Sequence, residues 1–193
     1  APTIVSISPD HGEWGQSFQA TVRGAGFLKG VTSLSMGDGL MIDSMTVDSI
    51  SHLHARLSIA GTTQAGRRGV SVTNVPPGGG TSTLINGFTV LYPQPTIVAV
   101  TPSVGVCGQQ MSVTVIGTNF VAGRTALSFG NGIMVHSIDF DDPTTLKGSI
   151  SVEPFANSGM RDVVVTNPGP GGGSAILKGA FAVNNPVPAI VNV

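Results

Sequence analysis

Charge is scarce in this chain of 193 residues: Asp, Glu, Lys and Arg make up 10% of it and sum to −1. A typical soluble domain carries roughly 25% charged residues. Without a basic footprint the chain lacks what nucleic acid requires, and what holds a protein to an anionic membrane surface. Cys107 is the single cysteine, so no disulfide forms within the chain. Cysteine usage therefore leaves oxidising and reducing compartments both open. No apolar run approaches the ~20 residues that span a bilayer as a helix, which argues against direct membrane insertion. Asn-x-Ser/Thr acceptors are missing, which suits a bacterial surface protein better than a eukaryotic ectodomain. Trp14 is the one tryptophan and Tyr92 the one tyrosine. A sugar-stacking platform usually needs two or more exposed rings, so carbohydrate binding has weak support. Helices are disfavoured too, because 27 Gly and 13 Pro would interrupt any helical stripe.

What is present is a repeat. A shift of 93 positions aligns the chain with itself without a gap: Pro2-Thr3-Ile4-Val5 falls on Pro95-Thr96-Ile97-Val98, and Thr73-Asn74 on Thr166-Asn167. Gly78-Gly79-Gly80 falls on Gly171-Gly172-Gly173. About two positions in five are identical, far above chance for unrelated stretches. The same shift carries the opening motif onto Pro188-Ala189-Ile190-Val191, so a third copy is expected to begin there. The chain opens on a repeat at Ala1, so any leader is expected to have been removed or to lie outside this piece.

Within each copy the period is two. Thr3-Ile4-Val5-Ser6-Ile7-Ser8 alternates as a half-buried strand does, and Phe18–Val22, Leu34–Met36, Leu57–Ile59, Val70–Val72 and Phe88–Val90 follow. Gly37-Asp38-Gly39 and Gly130-Asn131-Gly132 read as tight hairpin turns. About seven short strands per copy predict an all-β chain of two tandem immunoglobulin-like β-sandwiches. The expected domains are 1–92 and 93–185, with 186–193 as linker and start of a truncated third repeat. Tyr92-Pro93-Gln94-Pro95 and Asn185-Pro186-Val187-Pro188 are stiff connectors, since proline fixes φ and biases its predecessor towards extended backbone. They predict a semi-rigid spacing of the units.

Several landmarks recur in both copies. Each opens Pro-x-Ile-Val, at Pro2 and Pro95, and reaches a second proline at Pro9 or Pro102. Gly12-x-x-Gly15 and Gly105-x-x-Gly108 follow, then Val22-x-Gly24-x-Gly26-Phe27 and Val115-x-Gly117-x-Asn119-Phe120. Leu34-Ser35-Met36-Gly37 matches Leu127-Ser128-Phe129-Gly130, and Phe88-x-Val90 matches Phe181-x-Val183. Together these landmarks resemble the IPT/TIG family of immunoglobulin-like domains, over essentially the whole chain. The resemblance implies a non-catalytic module. Relatives serve as stalks in surface proteins, as accessory domains beside starch-processing catalytic domains, and as dimerisation domains in Rel-type transcription factors.

Candidate chemistry is thin. His52-x-His54 places two imidazoles on one strand face, but a third metal ligand is not evident and the second copy has Thr145 and Lys147 there. Asp139-Phe140-Asp141-Asp142 offers carboxylates for calcium, yet reads better as a turn before Pro143. The Gly triplets lack the Lys-Ser/Thr and helix of a phosphate loop. No activated nucleophile motif appears, so no enzyme activity and no cofactor are expected. Trp14 and Tyr92 are the candidate interaction residues, Trp14 as an interface anchor or as a plug over the sandwich end. Cys107, its counterpart, reads as a half-buried apolar residue, and Arg67, Arg68 and Arg161 as solvent-facing.

These readings converge on a non-catalytic module of an exported protein, extracellular or at the cell surface. It would act as a spacer and a protein–protein interaction or adhesion element, with protein partners that include neighbouring repeats of its parent. Accessory domains of a larger polysaccharide-acting enzyme are the alternative.

Overall fold

A computed structural model describes residues 1–77 and 79–188. Gly78 of the first triplet, and residues 189–193 of the expected third copy, lie outside the described residues. The chain divides into two units, Ala1–Tyr92 with Gly169–Gly171, and Pro93–Pro168 with Gly172–Val193.

Among the described residues every regular element is a strand. The first unit contains β1 (Thr3–Ser8), β2 (His11–Glu13), β3 (Ser17–Ala25), β4 (Thr32–Ser35), β5 (Leu40–Ser49), β6 (His52–Ile59), β7 (Gly66–Asn74) and β8 (Gly80–Leu91). The second contains β9 (Thr96–Thr101), β10 (Val104–Val106), β11 (Gln110–Thr118), β12 (Ala126–Ser128), β13 (Ile133–Asp142), β14 (Thr145–Val152), β15 (Gly159–Asn167) and β16 (Gly173–Asn184). Two four-stranded sheets form each sandwich: β1-β3-β6-β5 against β2-β8-β7-β4, and β9-β11-β14-β13 against β10-β16-β15-β12. The fold is all-β and immunoglobulin-like, as the period of two requires.

The structure has eight strands per unit where the sequence suggests about seven. The added one comes from the opening segment, which changes sheets at Pro9 and again at Pro102. β1 pairs antiparallel with β3, whereas β2 runs parallel to β8. A proline has no N–H for the ladder, so one strand ends there and another starts in the facing sheet.

The expected hairpins at Gly37-Asp38-Gly39 and Gly130-Asn131-Gly132 are not hairpins. β4 pairs with β7 and β5 with β6, so each turn carries the chain from one sheet to the other. β12 and β13 are divided in the same way. Positive φ falls on the flanking glycines (78° at Gly37, 81° at Gly39) and not on Asp38. A crossing between layers needs its swivels at both ends of the turn, which alternation along a strand does not reveal.

Each sandwich closes over its own core. Val22, Phe27, Met36, Leu53, Leu57, Val70 and Phe88 fill the first, and Val115, Phe120, Phe129, Leu146, Ile150, Val163 and Phe181 the second. Burying each large side chain contributes about 1.5–3 kcal/mol. One polar chain is threaded through each core in the same way. The Leu28 amide donates to Thr32 Oγ1 (2.8 Å), which donates to Asn74 Oδ1 (2.6 Å), while Asn74 Nδ2 donates to the Gly26 carbonyl (2.9 Å). In the second unit Val121 N, Thr125 and Asn167 repeat this, and Asn167 Nδ2 reaches both Asn119 O (2.7 Å) and Pro93 O (2.9 Å). The asparagine of the repeated Thr-Asn thus ties the last strand residue to the loop before β4 or β12.

Two glycines in this region act for different reasons. A Cβ on Gly24 would stand 1.9 Å from the Thr3 carbonyl, and one on Gly117 2.0 Å from that of Thr96, so both permit close approach of backbones. Gly26 instead supplies a left-handed turn (φ 70°), and Asn119 takes the same conformation in its place (φ 61°).

Candidate interaction surface

The two singular aromatics meet. Trp14 lies just after β2 and Tyr92 just after β8, with ring centroids 5.1 Å apart in an edge-on arrangement at 78°. Tyr92 is 6% exposed, and Trp14 is half-buried against the first core. The indole Nε1 is buried without a hydrogen-bond partner among the described residues. The pair packs on the first core. The counterpart of Trp14, Cys107, is half-buried, with its thiol donating to the Ala156 carbonyl at 3.2 Å.

His52 and His54 share a strand face but do not converge on a metal. His52 Nδ1 bonds to Ser51 Oγ (2.8 Å), and His54 Nδ1 pairs with Asp48. No cluster of three or more metal-ligating side chains exists among the described residues. At the same place in the second unit Lys147 pairs with Asp141 (2.5 Å). The two repeats thus keep one cross-strand contact to an aspartate and exchange only its basic partner. Comparing the histidines position by position hides this, because the lysine stands in a different residue class.

The acidic run is a turn. Asp142 Oδ1 accepts from the Thr144 amide (2.7 Å) and hydroxyl (2.6 Å), and these bonds hold its carboxyl below the ordinary aspartate value. The hydrogen bond from Lys147 to Asp141 raises the ammonium above its ordinary value. Arg68 and Arg161, expected to face solvent, are half-buried and hold nearby backbone carbonyls through exposed hydrogen bonds. Arg161 donates to Asn131 O (3.1 Å), Met160 O (3.2 Å) and Asn157 O; Arg68 donates to Arg67 O (3.1 Å) and Gln64 O.

Surface character differs between the units. On the outer face of the β1-β3-β6-β5 sheet the register forms three transverse rows: Ser6, Arg23, His52 and Ser49; Ser8, Thr21, His54 and Thr46; Gln19, Arg56 and Ser44. A depression of about 260 Å³ lies there, lined by Gln19, Ser44, Thr46, His54 and Arg56. The second unit presents Ile116 with Thr145, Thr114 with Lys147, and Ser112 with Ser149 in the same register. Its own feature is Phe155, 97% exposed on the loop after β14, where the first unit has Thr62. Composition does not flag that residue, since the other phenylalanines follow the buried alternation or pack on it. β5 and β13 are outermost in their sheets, so each has one row of backbone groups without a strand partner.

Comparison with known proteins bears on the fold. The family described as quinohemoprotein amine dehydrogenase, alpha subunit domain III, matches residues 94–169. The adhesin InvE of Yersinia pseudotuberculosis superposes over 95% of this chain and 58% of its own, at 12% identity and a TM-score of 0.52. A mutated three-domain titin fragment, I67–I69, superposes over 96% of this chain and 66% of its own, at 9% identity and a TM-score of 0.51. The chain therefore spans little more than half of the adhesin structure it resembles. At these identities the likeness establishes the immunoglobulin-like sandwich and nothing finer. A search by sequence finds no match among curated proteins.

Proposed function

We propose that the chain is a non-catalytic pair of IPT/TIG-type domains, 1–92 and 93–185, with a third repeat starting after 186. It belongs to an exported or cell-surface protein, bacterial in origin, where it spaces and presents contact surfaces. The observation that carries this reading is the separateness of the two cores, each filled by side chains of its own repeat. A unit that closes its own core can transmit distance or force without sharing chemistry with its neighbour. The exposed edges of β5 and β13 suit strand-to-strand contact with protein partners. Trp14, backed by Tyr92, is the aromatic contact at its end of the first sandwich.

Pulling on the two termini in a single-molecule force experiment tests the reading. Two unfolding events are expected, each releasing on the order of 300 Å of contour for ~90 residues at about 3.6 Å per residue. A single event releasing both repeats together would refute it. An accessory role in a larger enzyme, acting on polysaccharide, is the second reading. The match of residues 94–169 to a domain of an amine dehydrogenase subunit supports the accessory role and not the polysaccharide.

A further inference from the structure

The rows on the outer face of the first unit carry Arg23, His52 and Arg56, which the second unit replaces with uncharged residues. Arg23 stands directly opposite His52, and His52, His54 and Arg56 follow one another at alternate positions of β6. Directly opposed residues bring their Cβ atoms to about 4.5–5.5 Å, so Arg23 and His52 present their polar ends side by side. The His52 and His54 imidazoles and the Arg56 guanidinium therefore line about 13 Å of β6, at roughly 6.7 Å intervals, with the Arg23 guanidinium beside the first. Two carboxylates of β5 stand beside these rows: Asp48 pairs with His54 and Asp43 accepts from Ser58 (3.0 Å). Arg23 and Arg56 are exposed, and neither has an ion pair among the described residues. The other members of the three rows are Ser6, Ser8, Gln19, Thr21, Ser44, Thr46 and Ser49, all hydrogen-bonding and none apolar.

The second repeat serves as an internal control. It keeps the strands, the register and the edge contact to an aspartate, yet has Ile116, Thr145 and Ser149 where the first has Arg23, His52 and Arg56. The fold does not need the cations.

From this we infer that the outer face of the β1-β3-β6-β5 sheet binds an acidic polysaccharide. Carboxylates or sulfates spaced along an extended chain would meet Arg23, His52 and Arg56, and its hydroxyls would meet the Ser, Thr and Gln side chains between them. Two guanidinium groups, unpaired among the described residues and set apart on a polar face, suit a linear polyanion with spaced charges. The hydroxyl-rich rows between them match a glycan's hydroxyls better than a peptide's side chains. The site does not depend on where the parent protein is displayed or on the spacer reading.

Binding of the whole chain to immobilised polygalacturonate tests this, with dextran as neutral control, heparin as sulfated probe and poly-glutamate as acidic peptide. Retention on polygalacturonate or heparin that falls with added salt is expected, with none on dextran and little on poly-glutamate. The double variant Arg23→Ser/Arg56→Ser should weaken binding about tenfold, the combined effect of two exposed ion contacts. Both residues are exposed, so unchanged thermal unfolding should accompany that loss. Ile116→Arg/Ser149→Arg, which transfers the cations to the second unit, should strengthen retention. No retention on either glycan, retention untouched by the double variant, or tighter binding to poly-glutamate would each overturn the inference.

Discussion

Asn167→Ala tests how the repeats hold their loops in place. The side chain is 2% exposed. It accepts from Thr125 Oγ1 at 2.6 Å and donates to Asn119 O at 2.7 Å and Pro93 O at 2.9 Å. Truncation removes three hydrogen bonds and leaves their partners in a space that an alanine cannot fill. Each such loss costs about 1 kcal/mol net, and more where the remaining group stays dry. The sum is roughly 3 kcal/mol, against a domain stability on the order of 5–15 kcal/mol. For a unit of this size that lowers the melting temperature by about 12–24 °C. Among the described residues Asn74 makes one such bond fewer, to Thr32 and Gly26, so Asn74→Ala should cost the first unit about 1 kcal/mol less. The units can be read separately, because Trp14 is the only tryptophan and packs on the first core. Indole fluorescence follows the first unit, while far-ultraviolet circular dichroism follows both. Asn74→Ala should shift the fluorescence transition, and Asn167→Ala only the other. A loss below about 1 kcal/mol in the Asn167 variant would refute the network's role, and equal shifts of the Trp14 signal would refute the separateness of the cores.

Other perturbations test other parts of the fold. Trp14→Phe keeps an aromatic plug and deletes an unsatisfied N–H, so thermal unfolding of the first unit should change little. Trp14→Ala should destabilise it by about 2–4 kcal/mol, because a packed ring is lost. Gly24→Ala and Gly117→Ala place a Cβ within 2.0 Å of a carbonyl oxygen, and each should lower its own unit's stability by several kcal/mol on chemical denaturation. Gly61→Ala meets nothing within 4 Å and should stay within about 0.5 kcal/mol of the parent. In a nuclear magnetic resonance titration Asp142 should ionise below the ordinary aspartate value of 3.8. A carboxyl depressed in the folded state stabilises above that value and loses its contribution as pH falls through the folded one. Thr144→Val should return its titration towards 3.8; an unchanged curve would show that the hydroxyl is not the cause.

The legible parts of this fold are those written as local alternation. β6 reads His-Leu-His-Ala-Arg-Leu-Ser-Ile and is buried at every second residue, so strand, face and core follow together. Gly37-Asp38-Gly39 misleads because a turn within one sheet and a turn between two use the same residues. What separates them is which strands pair, a long-range choice set by packing. The repeat points to Asn74 and Asn167 as a pair, but their partners lie 42 and 48 positions away, at or before the start of β4 or β12. Arg68 and Arg161 look like surface charges because a clamp on backbone carbonyls has no signature in side-chain identity.

Alternation and the 93-residue repeat are properties of neighbouring or equivalent positions, so the chain by itself determines that it is all-β, twofold and built on apolar faces. The register decides the rest. It aligns Arg23, His52, His54 and Arg56 on one outer face from two strands about thirty positions apart, and it seats Tyr92 beneath Trp14. Hydrogen-bonded pairing between distant strands sets those distances, and no local pattern encodes which distant strand will be the neighbour.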